Sequence, residues 1–466
     1  MHRYRLPLAL MVVGGLVLCG TRPLAAQSSD GFFPYEIHKR TLENGLDVIV
    51  IPMLEFENVL SYNTLILAGA RNETEPGKSG LAHLFEHIQF RHMWQGKPQG
   101  YEEAMSRMGA FNNAWTWFDV TFYHPVTFAS NLNQLASLEA DRFTSLKFTE
   151  EVFVTEAGTV LGEYRNSAAD PGMRMDEVQL AEMYGSHGYG HTTMGYLEDV
   201  EDLPNEFKAA IGFYNTYYRP NNVVMVIAGD VGPAGVFELV ESLYGSWEPG
   251  LISEQPDPEA VGGPKQAHVD WEVPVPPRIT VSYKMPAHRT GTAETAVGQL
   301  LPELLVSETA PLYKKLRYEE QLVQGMGMGK AVYESFDDGH LDIGCVLFQD
   351  RFASEGEAYF ERIVEEVQKA ADDLTAFSSR PDAGTLLRDL KSKYRYDMLA
   401  GLNSPAATAQ TFVLYYRFER DPAVMDKLVA SVEVLEPGDI DLFASTYLVP
   451  ANRVVVTMNG PAGGQR

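Results

Sequence analysis

Tyr217-Tyr-Arg-Pro220-Asn-Asn222-Val-Val224 returns in the second half of the chain as Tyr447-Leu-Val-Pro450-Ala-Asn452-Arg-Val454, with tyrosine, proline, asparagine and valine at unchanged spacing. A shorter echo, Ala157-Gly-Thr-Val-Leu161 and Ala383-Gly-Thr-Leu-Leu387, lies at nearly the same offset. Two matches so placed read as a duplicated unit with small insertions. Residues 253–264, SEQPDPEAVGGP, concentrate proline, glycine and acids and read as the linker between the copies. The expected organisation is a segment 1–26 that is removed, a first domain at 27–252, the linker at 253–264 and a second domain at 265–466. A chain of 466 residues suits two cores of about 200 residues each better than one.

Within each copy strands and helices follow one another irregularly. Leu46–Ile51 (LDVIVI) and Val223–Ala228 (VVMVIA) are short β-branched runs typical of buried strands. Thr121–Tyr123 is a further strand candidate after a turn at Asn112-Asn113, and helical periodicity covers 81–90, 151–164 and 357–374. Without strict strand–helix–strand alternation the fold class is α+β. Gly325-Met-Gly-Met-Gly329 has no phosphate-loop context and reads as a flexible strand. Cys345, within DIGCVLF, reads as a core thiol.

The N-terminus has the layout of a signal peptide. Arg3 and Arg5 precede an apolar run from Leu6 to Leu18, and the small residues Ala25 and Ala26 follow. The run is too short for a stable bilayer span, and no other run reaches that length. Export to the periplasm or the medium is therefore expected, with Cys345 as the only cysteine left and no internal disulfide. The net charge is −26, and loss of Arg3, Arg5 and Arg22 with residues 1–26 takes it to −29. Such a surface repels nucleic acid and favours cationic partners.

The chemistry concentrates in Ser79-Gly-Leu-Ala-His83-Leu-Phe-Glu86-His87-Ile88. Leu81, Leu84, Phe85 and Ile88 fall at i, i+3, i+4 and i+7, the buried stripe of a helix for which Ser79 is the expected N-cap. His83 and His87, at i and i+4, project from one side and can converge on one ion. Glu86 precedes the second histidine, where its carboxylate can take the proton of an attacking water without ligating the ion. This is the inverted H-x-x-E-H order. Zinc in a catalytic site takes three protein ligands, so one must come from elsewhere. Glu156 and Glu163 share a face of the 151–164 helix, two turns apart. By spacing alone such a pair reads as a solvated surface.

His83-Leu-Phe-Glu86-His87, followed well downstream by Glu163, resembles the pitrilysin/insulinase family of inverted-motif zinc peptidases, which includes the mitochondrial processing peptidase. The resemblance implies His83, His87 and Glu163 as ligands of one zinc per chain, Glu86 as general base and Glu156 as a supporting acid. Asn113-Ala114-Trp-Thr116-Trp-Phe-Asp119-Val-Thr121-Phe-Tyr123 resembles the family's edge strand beside the zinc, so Asn113, Ala114 and Thr116 are expected to bind an extended peptide backbone. Phe213-Tyr-x-x-Tyr217-x-x-Pro220-x-Asn222, leading to Gly229-Asp230, resembles the segment that closes the first domain.

The second copy has no H-x-x-E-H. At the offset of the shorter echo, Thr309 stands for His83 and Asp389 for Glu163, so a second zinc is not expected. Leu316-Arg317-x-x-Glu320-Gln321-Leu322 resembles the family segment whose arginine and tyrosine hold substrate. Arg317 is kept, and Gln324 stands where the tyrosine would fall. The resemblance further implies that the two domains form one half of a clamshell chamber. The other half is expected from a related subunit without the zinc motif, with a homodimer as the alternative. Short or unfolded peptides are the expected substrates, basic ones favoured by the charge. A catalytically inactive scaffold of the same fold is the competing reading, disfavoured by the intact His83, Glu86, His87 and Glu163. His92 and His124 are expected to be structural.

Overall fold

The computed structural model describes residues 31–252, 255, 257–329 and 335–461. The expected signal segment lies outside these residues, as do positions 253, 254 and 256 of the expected linker. Among the described residues, β1 (His38–Thr41), β2 (Asp47–Pro52), β3 (Val59–Ile66), β4 (Ala114–Thr116), β5 (Thr121–Tyr123), β6 (Val126–Phe128) and β7 (Val223–Gly229) build one sheet. A second sheet is built from β8 (Lys265–Asp270), β9 (Arg278–Lys284), β10 (Val323–Gly329), β11 (His340–Leu347) and β12 (Arg453–Asn459). Helices packed on both make the molecule α+β, as the irregular alternation implies.

The strand orders prove the duplication. The first sheet runs β1-β2-β7-β3-β5-β4, with β6 on β3, and the second runs β10-β11-β9-β12-β8. Read from the other end, β8-β12-β9-β11-β10 matches β2-β7-β3-β5-β4. The parallel pair falls in the same place, β2 with β7 and β8 with β12, and the remaining steps are antiparallel in both. The Tyr-x-x-Pro-x-Asn signature is the junction that launches β7 and β12. A helix ends at Tyr217 or Tyr447, proline opens a 3₁₀ turn, and the asparagine amide donates to the tyrosine carbonyl oxygen. Those bonds are 3.0 Å for Asn222 and 3.4 Å for Asn452. Asn side chains satisfy helix-end carbonyls in this way, which is why the residue recurs.

The shorter match does not survive. Ala157 lies in the middle of helix Glu150–Ser167, whereas Ala383 opens helix Ala383–Gly401. Aligned by their ends, these helices pair Glu150 with Ala383 and Ser167 with Gly401. Ala157 and Ala383 are therefore not equivalent, and Asp389 is not the counterpart of Glu163. Thr309 likewise lies beyond Ala293–Leu305, the first long helix after β9 and the topological equivalent of Leu81–Phe90. That helix carries no histidine.

The central strands of each sheet are buried on both faces, and one cover in each case comes from the other copy. Val48 and Val50 of β2 face helices of their own copy, in a core shared with Leu84, Phe85 and Ile88. Ile49 and Ile51 face the opposite way, onto Phe412, Val413 and Tyr416 of helix Pro405–Glu419. In exchange, helix Pro171–Tyr184 of the first copy lays Met175, Leu180 and Met183 on Val269, Val454, Val456 and Met458 of the second sheet. These helices follow the equivalent pair Glu150–Ser167 and Ala383–Gly401, so the exchange is reciprocal. A strand buried on both faces must be apolar, which explains Val48–Ile51. Asp47, buried at the start of β2, is satisfied by the hydroxyls of Thr41 and Tyr416, which donate to it. Phe412 is fully buried at this seam. Phe412→Ala should therefore lower stability by about 3–5 kcal/mol, read as a shift of the denaturant midpoint with both halves lost in one transition. No helix among the described residues is long and apolar enough to cross a membrane.

Candidate metal centre

Helix Leu81–Phe90 buries Leu81, Leu84, Phe85 and Ile88 and turns His83, Glu86 and His87 the other way. Its N-cap is Gly80 rather than Ser79, with φ +90°, a left-handed conformation open to glycine. Ser79 instead donates its hydroxyl to Asp199 Oδ2 at 2.7 Å. The facing helix, Glu150–Ser167, is capped by Thr149, whose hydroxyl accepts from Val152 N. It buries Phe153, Glu156, Ala157 and Val160. Glu163, one turn beyond the last of these, is about half exposed.

The three expected ligands meet. Glu163 Oε2 lies 3.6 Å from His83 Nε2 and 3.6 Å from His87 Nε2, and donor atoms of the three residues lie within 4.8 Å of one another. The imidazoles stand edge to face, 4.9 Å apart at 85°. Donors about 2.1 Å from a tetrahedral zinc lie roughly 3.4 Å from each other, so this set fits that ion with little movement. Burial and the neighbouring His87 pull the His83 imidazole down to about 4, which keeps it neutral, the form that ligates. Burial also pulls on His87, but Glu156, Glu163 and Glu86 outweigh it and leave that ring raised. Among the described residues no other three His, Cys, Asp or Glu side chains converge in this way.

Around the triad sit the two other expected acids. Glu86 is held by Thr116, whose hydroxyl donates to Oε2 at 2.6 Å. Burial raises the Glu86 carboxyl, Thr116 and His87 oppose that, and Glu163 adds to it. Glu156 places Oε2 3.5 Å from His87 Nδ1, so it faces the ring nitrogen turned away from Glu163. Burial pushes the Glu156 carboxyl up, but His87 and Arg91 together bring it below its usual value. Arg91 Nε donates to Glu156 Oε1 at 2.7 Å, and its Nη1 reaches Glu102 at 2.7 Å. Arg91 was not anticipated, although its place four residues after His87 puts it on the same helix face.

β4 is the free end of its sheet and packs beside the Leu81–Phe90 helix. Asn113 O accepts from His124 N at 3.0 Å and Trp117 N donates to Val120 O at 2.8 Å. With Ala114 opposite Tyr123, antiparallel alternation turns the main-chain groups of Ala114 and Thr116 to the open edge. Asn113 is exposed at the start of that edge. Thr116, expected at the substrate, thus also holds Glu86. Arg317 is not gathered into this group. It sits in the turn Lys314–Glu319, and its Nη1 donates to Val323 O at 3.4 Å within the second copy. Gln324 donates its amide to Leu347 O at 2.7 Å. His92 is buried against Asp141 and His124 stacks on Phe122. Cys345 is buried, its thiol pushed up to about 12 by that burial.

Two family models match the chain. Residues 55–196 match insulinase (peptidase family M16), and residues 207–377 match the peptidase M16 inactive domain. The chain is 30% identical over 277 residues to the zinc protease PqqE of Helicobacter pylori, covering 56% of this chain and 60% of that one. It is 24% identical over 344 residues to the beta subunit of the mitochondrial-processing peptidase of Caenorhabditis elegans, covering 72% of each. The match spans 60% of PqqE and 55% of an uncharacterized zinc protease of Rickettsia bellii, less than two thirds of either. In fold, a protease from Helicobacter pylori superposes with a TM-score of 0.80 at 23% identity, over 91% of this chain and 99% of that one. A putative M16-like peptidase from Alicyclobacillus acidocaldarius gives 0.76 at 20%, over 92% and 99%. The inverted motif, the converging triad and both family models lead to one place: the chain belongs to the pitrilysin/insulinase family of peptidases, M16.

Proposed function

We propose that the chain is an exported zinc endopeptidase acting on short or unfolded peptides, with His83, His87 and Glu163 holding one zinc. The observation that carries this reading is the convergence of those three donors next to the half-buried Glu86 carboxylate and an open strand edge. The ion would polarise the scissile carbonyl and bring the pKa of water to about 7. Glu86, fixed by Thr116 on the same side of the helix as both histidines, takes the proton of the attacking water and returns it to the leaving amine. Glu156, steadied by Arg91, faces His87 Nδ1 and would leave Nε2 to hold the ion. An extended peptide adds to β4 through Ala114 and Thr116, so that recognition is largely independent of side chains, and Asn113 supplies a further amide.

The decisive experiment is metal analysis paired with digestion of a peptide library. About one zinc per chain and cleavage abolished by a chelator are expected, and cleavage that survives complete zinc removal would sink the reading. Strand addition predicts a separate effect. Proline is tolerated at a sheet edge, so Ala114→Pro should fold, keep its zinc and lose one donor to substrate. KM should rise about tenfold, the worth of one net hydrogen bond; an unchanged KM would remove β4 from substrate binding. The acidic surface favours basic peptides, a preference that should fade as salt rises. The opposing wall of the chamber is supplied by a related chain that lacks the zinc motif, because Gln324 replaces the tyrosine that a self-pair would need. Solution mass measured together with activity tests this: an active homodimer indifferent to any second subunit would refute it.

A further inference from the structure

The first N–H groups of a helix find no partner inside it. In helix Leu81–Phe90 that end is buried, and the N-cap Gly80 has no side chain to offer. The need is met from a distance. Glu73, on the segment that descends from β3, accepts from Gly80 N through Oε2 at 2.8 Å and from Ala82 N through Oε1 at 2.6 Å. A carboxyl group gripping two main-chain N–H groups limits both sliding and rotation of the first turn. Ala82 directly precedes His83. With 100° of turn and about 1.5 Å of rise per residue, a small slip there moves the first histidine away from the position in which it meets Glu163.

Glu73 is itself held. Arg71, two residues earlier, donates from Nη2 to Asp337 Oδ1 of the second copy at 2.8 Å, and its Nε bonds the other oxygen. Asp119 lies 4.0 Å from the same guanidinium. The segment is thus pinned on one side by the second copy and on the other by the metal helix. Burial pushes the Glu73 carboxyl up to about 8 against the pull of the main-chain donors. A carboxyl so costly to bury is used here by the helix end, with His191 the nearest basic group, 3.8 Å away.

We propose that Glu73 is a positioning residue of the metal centre: by holding the N–H groups of Gly80 and Ala82 it sets where His83 stands relative to His87 and Glu163, and so sets zinc affinity and turnover. This rests on the zinc-peptidase reading. The test uses the purified full chain at one temperature and measures zinc affinity by chelator competition, kcat and KM on one peptide, and the melting temperature. Glu73→Gln keeps the shape but turns an N–H₂ group toward a helix N–H. Asp199→Asn is the control, since among the described residues Asp199 bonds only Ser79, outside the helix, at 3.1 Å to its N and 2.7 Å to its hydroxyl.

Glu73→Gln should weaken zinc binding and lower kcat by about 10- to 100-fold, the range for groups that orient ligands, with KM within twofold. Asp199→Asn should lower the melting temperature yet leave zinc affinity within about threefold. Wild-type zinc affinity in Glu73→Gln overturns the proposal. So does an equal loss of affinity in Asp199→Asn at an equal loss of melting temperature, since that is general loosening. If Glu73→Gln does not fold, Asp337→Asn releases the same segment from its far end. A several-fold weaker zinc affinity then supports the role, and an unchanged affinity overturns it. A wild-type chain that binds no zinc fells the parent reading and this one together, whereas tight binding by both wild type and Glu73→Gln fells only the role of Glu73.

Discussion

Glu86→Gln keeps its zinc and loses activity by about 10²- to 10⁴-fold in kcat, the contribution expected of a positioned acid–base group. The two halves of that result have separate causes. Zinc stays because Glu86 is not one of the three converging donors, and the glutamine carbonyl can still accept the Thr116 hydroxyl now 2.6 Å from Oε2. Activity falls because an amide of the same shape cannot take a proton from water or hand one to the leaving amine. KM should change little, since the backbone groups of β4 are untouched. Metal content by mass spectrometry and kcat by peptide cleavage are read on one preparation. Activity within tenfold of wild type would remove Glu86 from proton transfer.

Removing a ligand inverts the pattern. Glu163→Ala or His83→Ala takes one donor from a three-donor site. Structural zinc sites in small domains are worth on the order of 10–16 kcal/mol. If three donors share an energy of that size, each carries roughly 4 kcal/mol, or about three orders of magnitude in affinity. Such variants should be isolated without zinc and regain activity only at high added zinc. Glu163 is the more informative of the two, because it is about half exposed and its loss leaves the core packing intact. Glu156→Gln should sit between, at about 10- to 100-fold, because Glu156 faces His87 rather than the ion. Full zinc occupancy with both His83 and His87 replaced would refute the assignment outright.

What could be read from the chain alone is what short-range geometry governs. The i, i+4 spacing of His83 and His87 and the stripe Leu81, Leu84, Phe85, Ile88 follow from 3.6 residues per turn, and the helix runs from Leu81 to Phe90 as that period implies. The β-branched runs became β2 and β7 for a similarly local reason. The Tyr-x-x-Pro-x-Asn repeat was legible because its asparagine bonds a carbonyl only five residues away, so the motif carries its own structural cause. The Ala-Gly-Thr repeat has no such cause, and its two copies fall at different places in their helices. Glu163 as third ligand rested on likeness to a family, since no local rule links positions as distant in the chain as His87 and Glu163.

Only the tertiary structure decided the rest. The helix cap is the clearest case: propensity favours Ser79, but Ser79 is drawn to Asp199 and the buried helix end is served by Glu73 across the turn. Thr116 was readable as an edge-strand residue, whereas its bond to Glu86 exists only because β4 packs beside the metal helix. The reciprocal exchange of Pro171–Tyr184 and Pro405–Glu419 was equally hidden. Periodicity tells which face of an element is apolar, and LDVIVI announces that both faces of β2 are buried. It does not tell which element covers them, because burial of apolar surface is non-directional and any complementary face will serve. The choice among covers falls to shape, chain connectivity and the few directional bonds, such as Arg71 to Asp337, that join one copy to the other.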